Sequence, residues 1–132
     1  MAVGKTDAAG ARLKGVRVLL VEDDGDFAPD LLELVRAFGC IIAGWAPRLP
    51  EAFALSVTRE FDLALLDLNI GGHSVRPFAA HVRQKRKPMV FVTGNRDVPV
   101  HAEEMIVYKP FEPDELLRAM TAALLRAGPE PA

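Results

Sequence analysis

Short apolar segments alternate along the chain with longer stretches in which apolar residues recur every three or four positions. The apolar segments are residues 16–21, 40–45, 63–66, 89–92 and 106–108. Segments this short and this uniformly apolar are typical of strands that are buried on both faces of a sheet. The stretches between them have the spacing of one helix face and predict helices.

The predicted helices differ in how well their ends are marked. The first begins near Phe27, with Asp24 or Asp26 as its N-cap. Residues 95–103 contain Pro99 and predict only a short or broken fourth helix. The stripes expected to face the core are Phe27, Leu31, Leu34 and Phe38 in the first helix, Leu49, Phe53 and Val57 in the second, Val75, Phe78, Ala79 and Val82 in the third, and Leu116, Met120 and Leu124 in the last.

A strand followed by a helix, repeated five times, predicts an α/β fold with a parallel sheet and helices on both faces. Right-handed crossovers restrict the arrangement further. The compact solution is a doubly wound five-stranded sheet with strand order 2-1-3-4-5. A closed barrel needs eight such units, so that class is excluded.

Composition narrows the class of protein. The chain has 132 residues, which suits one domain, and a net charge of −2, which argues against a general nucleic-acid surface. One cysteine excludes an internal disulfide. No apolar run approaches a membrane span and no hydrophobic block resembles a signal peptide, so we expect a cytoplasmic protein. We expect a disordered tail over residues 1–14, a domain over 15–126 and a frayed tail over 127–132.

Polar residues follow four of the predicted strands at their carboxyl ends. Parallel strands bring these ends to one edge of the sheet, and ligands bind there at the point where the winding reverses. The residues on that edge are Glu22, Asp23 and Asp24 after the first strand, Asp67 after the third, Thr93 after the fourth and Lys109 after the fifth.

The residue types at this edge point to phosphoryl chemistry. Clustered carboxylates repel one another and favour a cation, and Mg²⁺ prefers such oxygen ligands. A carboxylate can also be a nucleophile that forms an aspartyl phosphate. Asp67, on a central strand, is the candidate nucleophile. The ammonium of Lys109 and the hydroxyl of Thr93 would help to neutralise phosphoryl oxygens.

Four motifs in this order resemble the receiver domain of a two-component response regulator, of the stand-alone, single-domain type. The motifs are VLLVEDD (18–24), LALLDLNIGG (63–72), VFVTGN (90–95) and YKPF (108–111). The resemblance covers residues 15–126 and implies a flavodoxin-like fold.

This resemblance also implies roles for individual residues. Asp67 would be the phosphoacceptor, and Asp23 and Asp24 would form the acidic pocket for Mg²⁺. The backbone carbonyl of Asn69, or that of Leu68, would complete the metal site. Further implications are phosphoryl contacts from Thr93 and Lys109, a cis peptide bond at Lys109–Pro110, and a phosphohistidine donor on a sensor histidine kinase or a histidine phosphotransfer protein.

Departures from the family pattern affect the expected output. Ile106 stands where receivers usually carry an aromatic ring that turns inward after phosphorylation. We therefore expect Tyr108, on the same face of its strand, or packing near the short fourth helix, to respond together with Thr93, and Ile106 to be passive. The alternative is that Tyr108 only covers the edge of the sheet. Nothing after Arg126 could fold into a DNA-binding domain, so we expect output through another, unidentified protein and no direct contact with nucleic acid.

Two other classes of function remain open from the sequence. One is a small phosphatase or phosphotransferase that works through an aspartyl phosphate, like the haloacid dehalogenase class. The candidate nucleophile here follows the third strand rather than the first, which disfavours that class. The other is a pseudo-receiver that binds partners without being phosphorylated. The complete set of acids, hydroxyl and amine argues against it, and we expect a phosphoacceptor that is not an enzyme.

Overall fold

The computed structural model describes residues 12–127. Strands and helices alternate through most of this range. In chain order the elements are β1 (Arg17–Val21), α1 (Phe27–Ala37), β2 (Ile41–Ala46), α2 (Leu49–Thr58), β3 (Leu63–Leu66), β4 (Asn69–Ile70), β5 (His73–Ser74), α3 (Arg76–Gln84), β6 (Met89–Thr93), β7 (Ile106–Tyr108) and α4 (Pro113–Ala127).

Five strands form one parallel sheet in the order β2-β1-β3-β6-β7. Because β6 and β7 are the fourth and fifth strands of this sheet, the predicted order 2-1-3-4-5 is confirmed. Val21 at the end of β1 pairs with Leu66 at the end of β3, and Leu66 pairs with Phe91 near the end of β6. The carboxyl ends of the central strands therefore meet at one edge.

Alternating side chains of the sheet divide the core into two clusters. On one face, Leu20 and Leu65 pack with α1 and α4. On the other face, Leu19 and Leu66 pack with α2 and α3. Helices thus cover both faces, and the apolar strands are buried on both sides as a parallel sheet requires.

The face that α2 buries differs from the predicted stripe. Ala52 and Ser56 are buried, whereas Val57 is 68% exposed. The helix lies close to the sheet through small residues, and Leu55 fills the space over Gly44, where an added Cβ would meet a Leu55 methyl carbon at 3.0 Å. The sequence pattern predicts that the large apolar residues of α2 face the core. The short distance between the helix and the sheet instead favours burial of small residues.

Two connections also differ from the sequence-based picture. Residues 94–105 form turns and bends with no α-helix, because Pro99 blocks helix propagation and an Asp97 N–H donates to the Asn95 side chain in a local turn. The glycine loop after Asp67 is the turn of a small antiparallel hairpin, β4–β5. Both turn residues, Gly71 and Gly72, have positive φ, as two-residue hairpins of this kind need.

The packed domain begins before the predicted boundary at residue 15. Leu13 is fully buried in the α1–α4 cluster, and the Gly15 N–H donates to the Gly39 carbonyl at 2.8 Å. Residues 12–14 therefore do not belong to a disordered tail. At the other end, Ala127 belongs to α4 and not to the tail predicted from that residue. The remaining tail predictions, for residues 1–11 and 128–132, lie outside the described residues. Within residues 12–127, no helix has the length and apolar character that crossing a bilayer requires.

An ion pair joins the start of β1 to the residue before β3. The Nε and Nη2 atoms of Arg17 donate to the two carboxylate oxygens of Asp62 at 2.9 and 2.8 Å, and the Arg17 backbone N–H adds a third bond at 2.9 Å. These contacts, led by the side-chain hydrogen bond, lower the pKa of Asp62 although partial burial opposes the shift. The pair aligns the two central strands at their amino ends.

We predict that Asp62→Asn lowers the free energy of unfolding at pH 7 by about 1 kcal/mol, because it weakens charge-assisted bonds. Since the pKa is lowered in the folded protein, this stabilisation is fully present above the unfolded-state pKa of about 3.9 and is lost as the pH falls through the folded-state pKa. Urea unfolding at pH 7 and at low pH measures the difference. Glu51→Gln, which removes an exposed pair with Arg48, is the control and should change stability less.

Candidate functional site

Three carboxylates meet at the carboxyl edge of the sheet. Oxygens of Glu22, Asp23 and Asp67 all lie within 4.8 Å of one another. The register explains the arrangement: Val21 pairs with Leu66, and the Asp67 N–H donates to the Val21 carbonyl at 3.0 Å. The residues that follow these strand ends are therefore neighbours, although 45 positions of sequence separate Glu22 from Asp67.

A single ammonium group bridges two of these carboxylates. Lys109 Nζ lies 2.7 Å from Glu22 Oε1 and 3.2 Å from Asp67 Oδ2. It also lies 4.2 Å from the centre of the Phe27 ring, a cation–π contact. The Lys109–Pro110 bond is cis, as the family resemblance implied. Lys109 thus supplies the positive charge that the acidic cluster needs.

Burial and charge act in opposite directions on this pair. Glu22 is 1% exposed, and burial raises its pKa to about 7 although the hydrogen bond from Lys109 and the Asp24 N–H oppose the shift. Burial alone would lower the pKa of Lys109, but its bond to Glu22 and the attraction of Asp67 outweigh that effect and raise it. The lysine is therefore held as a cation against the site.

Asp24 does not join the cluster, contrary to the sequence-based expectation that it forms the acidic pocket with Asp23. Its Oδ1 accepts the backbone N–H groups of Asp26 at 2.9 Å and Phe27 at 3.1 Å. These bonds, the one from Phe27 first, lower the pKa of Asp24. The side chain satisfies the open N–H groups at the start of α1, which is the capping role that the sequence also offered.

Glu22 takes the place that we expected for Asp24. Three consecutive acids follow the apolar run of β1, and only the strand register decides which of them face Asp67. A signal for Glu22 is present in the sequence, because it is the first residue after the apolar run, as Asp67 is after its own run. Counting from those two ends pairs Glu22 with Asp67.

The β4–β5 hairpin closes one side of the cluster. The Gly71 N–H donates to Asp23 Oδ2 at 2.7 Å. Leu68 is buried, and its carbonyl accepts the Val75 N–H at 2.9 Å. Asn69, two residues after Asp67, is exposed. Of the two carbonyls expected near a metal, that of Leu68 thus already has a hydrogen-bond partner.

Thr93 and Tyr108 lie at the carboxyl ends of β6 and β7, at the same edge of the sheet as the cluster. Thr93 is buried at the end of β6, its Oγ1 accepts the Asn95 N–H at 3.2 Å, and its carbonyl accepts the Lys109 N–H at 2.9 Å. Tyr108 pairs with Thr93 in the sheet, and the Arg96 guanidinium lies 4.5 Å from the centre of its ring. Ile106 pairs with Phe91 and packs on the α2–α3 face.

Known proteins resemble this chain over most of its length, although no family model matches it. The transcriptional regulatory protein PdtaR of Mycobacterium tuberculosis is 30% identical over an alignment of 117 residues that covers 83% of this chain and 57% of PdtaR. The solution structure of SdrG from Sphingomonas melonis is 30% identical, with 84% of this chain and 97% of SdrG covered and a TM-score of 0.74. The response regulator PhyR from Brucella abortus is 25% identical, with 91% of this chain and 52% of PhyR covered and a TM-score of 0.79. The chain belongs to the receiver domains of two-component response regulators.

The four motifs therefore identified the family of this receiver domain correctly. The chain spans about half the length of the curated relatives that it matches, 50% of a Bacillus subtilis regulatory protein and 57% of PdtaR. Membership of this family therefore does not assign the activities of those longer proteins to this chain.

An ion-pair cluster that the sequence analysis missed fixes the turn-rich segment of this receiver domain. Arg76, at the start of α3, pairs with the largely buried Glu104, donates to the Pro99 carbonyl at 3.1 Å, and lies over the Phe91 ring. Glu104 also accepts the His101 N–H at 2.9 Å. Burial is the largest effect on Glu104 and opposes its ionisation, but the hydrogen bonds from Arg76 and the His101 N–H, together with the charge of Arg76, outweigh burial and lower the pKa. Side chains thus hold residues 94–105 in the place of a helix.

We predict that Glu104→Gln destabilises the domain by about 2–4 kcal/mol, because it leaves the Arg76 guanidinium partly buried without its carboxylate. Hydrogen exchange of the amides in residues 95–104 should accelerate more than exchange in β1 and β3. Glu103→Gln is the matched control, since that side chain is exposed. Equal exchange rates in the two variants would contradict the role of Glu104.

Proposed function

We propose that this receiver domain accepts a phosphoryl group on Asp67 from a phosphohistidine of a sensor histidine kinase or a histidine phosphotransfer protein. It then signals through phosphorylation-dependent contact with another protein, or acts as an intermediate or sink in a phosphorelay. The observation that carries the proposal is the position of Asp67. Its side chain is 12% exposed, lies within the acidic cluster and touches the Lys109 ammonium.

The proposed phosphoryl transfer needs no reactant other than the two proteins. An Asp67 oxygen attacks phosphorus, the P–N bond of the phosphohistidine breaks, and the imidazole, protonated on its other ring nitrogen, leaves as a neutral group with the electron pair of that bond. Lys109, 3.2 Å from Asp67 Oδ2, would neutralise charge on the phosphoryl oxygens. The Thr93 hydroxyl, at the neighbouring strand end, would donate to one of them. The domain would act as a phosphoacceptor and not as an enzyme with a turnover of its own.

The acidic cluster fits a divalent cation by its chemistry. Glu22, Asp23 and Asp67 each offer a carboxylate oxygen, and three such hard ligands so close together suit Mg²⁺. The carbonyl of Asn69 would be a further ligand. When bound, Mg²⁺ would offset the mutual repulsion of these acids and of the incoming phosphoryl group.

The first test is phosphorylation by a small donor. With acetyl phosphate and Mg²⁺, the wild type should gain the mass of one phosphoryl group, and Asp67→Asn should not. Asp24→Asn is the matched control and should still be phosphorylated. No adduct with any donor, kinases included, would favour a pseudo-receiver that only binds partners, and turnover of a small phosphoester would favour the phosphatase alternative.

The same preparation tests the metal ligands, with Trp45 as the reporter. This residue is the only tryptophan of the chain, and its Nε1 donates to the Glu22 carbonyl at 2.8 Å. In a Mg²⁺ titration followed by tryptophan emission, Glu22→Gln and Asp23→Asn should raise the midpoint about ten-fold or more, a loss of about 1.4 kcal/mol. Asp24→Asn should stay close to the wild type. The reverse order would restore Asp24 to the acidic pocket.

We further propose that Thr93 and Tyr108 carry the response to phosphorylation. A hydroxyl drawn toward the phosphoryl group would change the end of β6, to which Tyr108 is paired. Arg96 over the Tyr108 ring connects this position to the turn-rich segment. Ile106 would stay passive against Phe91, because its small side chain fills no ring-sized space.

Beryllofluoride, which imitates the phosphoryl group on an aspartate, tests this assignment by NMR. Tyr108→Ala should abolish the shift changes that it causes in residues 94–108, while Ile106→Ala should keep them. A population shift requires different contacts in the two states, so the variant that loses the changes identifies the contact. Retention in Tyr108→Ala together with loss in Ile106→Ala would overturn the assignment.

The remaining expectations follow from the family. We propose a cytoplasmic protein whose partners are a phosphodonor protein and an unidentified downstream protein. The net charge of −2 favours protein partners over direct binding to nucleic acid.

A further inference from the structure

A groove opens at the amino edge of the sheet, opposite the acidic cluster. Its volume is about 740 Å³, and it lies between the end of α3, residues 101–105 and the end of α4. Met89, Phe91 and Met105 contribute to its apolar lining. The groove adjoins the turn-rich segment that replaces a helix. Met89 and Met105 are only partly buried there, whereas Phe91 is buried. Methionine side chains adapt to varied apolar partners.

Basic side chains outnumber acidic ones around this groove. The cations of the lining are Arg83, Arg86, Lys87 and Arg126, against two acids, Glu103 and Glu104. The charge of Glu104 is already compensated, since it pairs with Arg76 and lies 3.8 Å from Arg83. The rim therefore presents net positive charge next to an apolar lining.

Arg86 occupies its place at the rim at a conformational cost. It has φ of 59°, and it is the non-glycine residue with positive φ among residues 12–127. The Arg86 N–H donates to the Arg83 carbonyl and the Lys87 N–H donates to the Val82 carbonyl, which is the Schellman motif that ends α3. Glycine is the usual residue at this position, and a side chain there costs stability. A strained residue beside a groove points to a use for its side chain.

We propose that this groove binds an acidic amphipathic segment of a partner protein. Apolar side chains of the segment would pack on Met89 and Met105, and its carboxylates would pair with Arg86 and Arg126. Arginine suits such pairing because its guanidinium can hold a carboxylate with two parallel bonds. Charge complementarity selects an acidic partner over a basic one, and the apolar lining selects an amphipathic segment over a purely charged one.

The test uses a synthetic peptide as the probe and does not depend on phosphorylation. The peptide is a helix of about 14 residues with Leu at positions i, i+3, i+4 and i+7 and Glu at most other positions. Protein labelled with ¹³C in the methionine methyl groups is titrated without Mg²⁺ or phosphodonor. The Met89 and Met105 signals should shift with saturation, while that of Met120, which is fully buried between α4 and the sheet, should not.

Two matched peptides separate the contributions of charge and apolar surface. A peptide with Lys in place of Glu should bind at least about ten-fold more weakly, and so should one with Ser in place of Leu. If either control binds as tightly as the acidic amphipathic peptide, or if the Met89 and Met105 signals stay unchanged, the proposal is wrong.

Arg86 allows a variant whose effect is not explained by misfolding. Arg86→Gly relieves the backbone strain, so its melting temperature should equal or exceed that of the wild type. Its affinity for the acidic peptide should nevertheless fall about five-fold, while Arg86→Lys should keep most of it. Unchanged affinity in Arg86→Gly would show that the strained residue does not serve this groove and would overturn its part in the proposal.

Discussion

The in-register pairing of β1 with β3 is the constraint from which the site follows. It sets two chain segments side by side with their last apolar residues level, so that the next residue of each is an acid facing the other. Repulsion between such acids would open the edge of the sheet if nothing compensated it. The Lys109 ammonium supplies the compensation, and it is delivered by a third strand end, that of β7. The sheet therefore brings together two like charges from distant parts of the sequence, and with them the positive charge that offsets their repulsion.

Most of the fold could be predicted, because it depends on the spacing of apolar residues and on the order of strands and helices along the chain. Short apolar runs and amphipathic stretches fix the class, and the rules for crossovers leave few topologies. The predictions that failed concern choices between neighbours. For α2, the close approach to Gly44 favours Ala52 over Val57, and periodicity has no information about helix–sheet distance. For residues 94–105, the proline indicated a weak helix, but the contacts that replace it are made by side chains distant in sequence.

In the site, the kinds of residue could be predicted from the sequence, whereas the exact strand register could not. The acids, the hydroxyl and the amine could be assigned to one edge from the order of strands. Which two of Glu22, Asp23 and Asp24 face Asp67 depends on a single step of register, and the capping bonds of Asp24 settle it in space. The ion pair between Arg76 and Glu104 gave no signal at all, because an arginine and a glutamate 28 positions apart have no pattern that distinguishes them from surface charges.

Replacing a helix by turns between β6 and β7 has a mechanical consequence. A helix conveys a displacement from one end to the other because its repeated backbone bonds keep its length constant. The segment here lacks that repeated ladder and is held by side-chain contacts instead, those of Arg76 and Glu104 among them. A displacement at Thr93 would therefore have to pass along it through individual contacts rather than as a rigid shift. Single substitutions can alter such contacts one at a time, which a continuous helix does not allow.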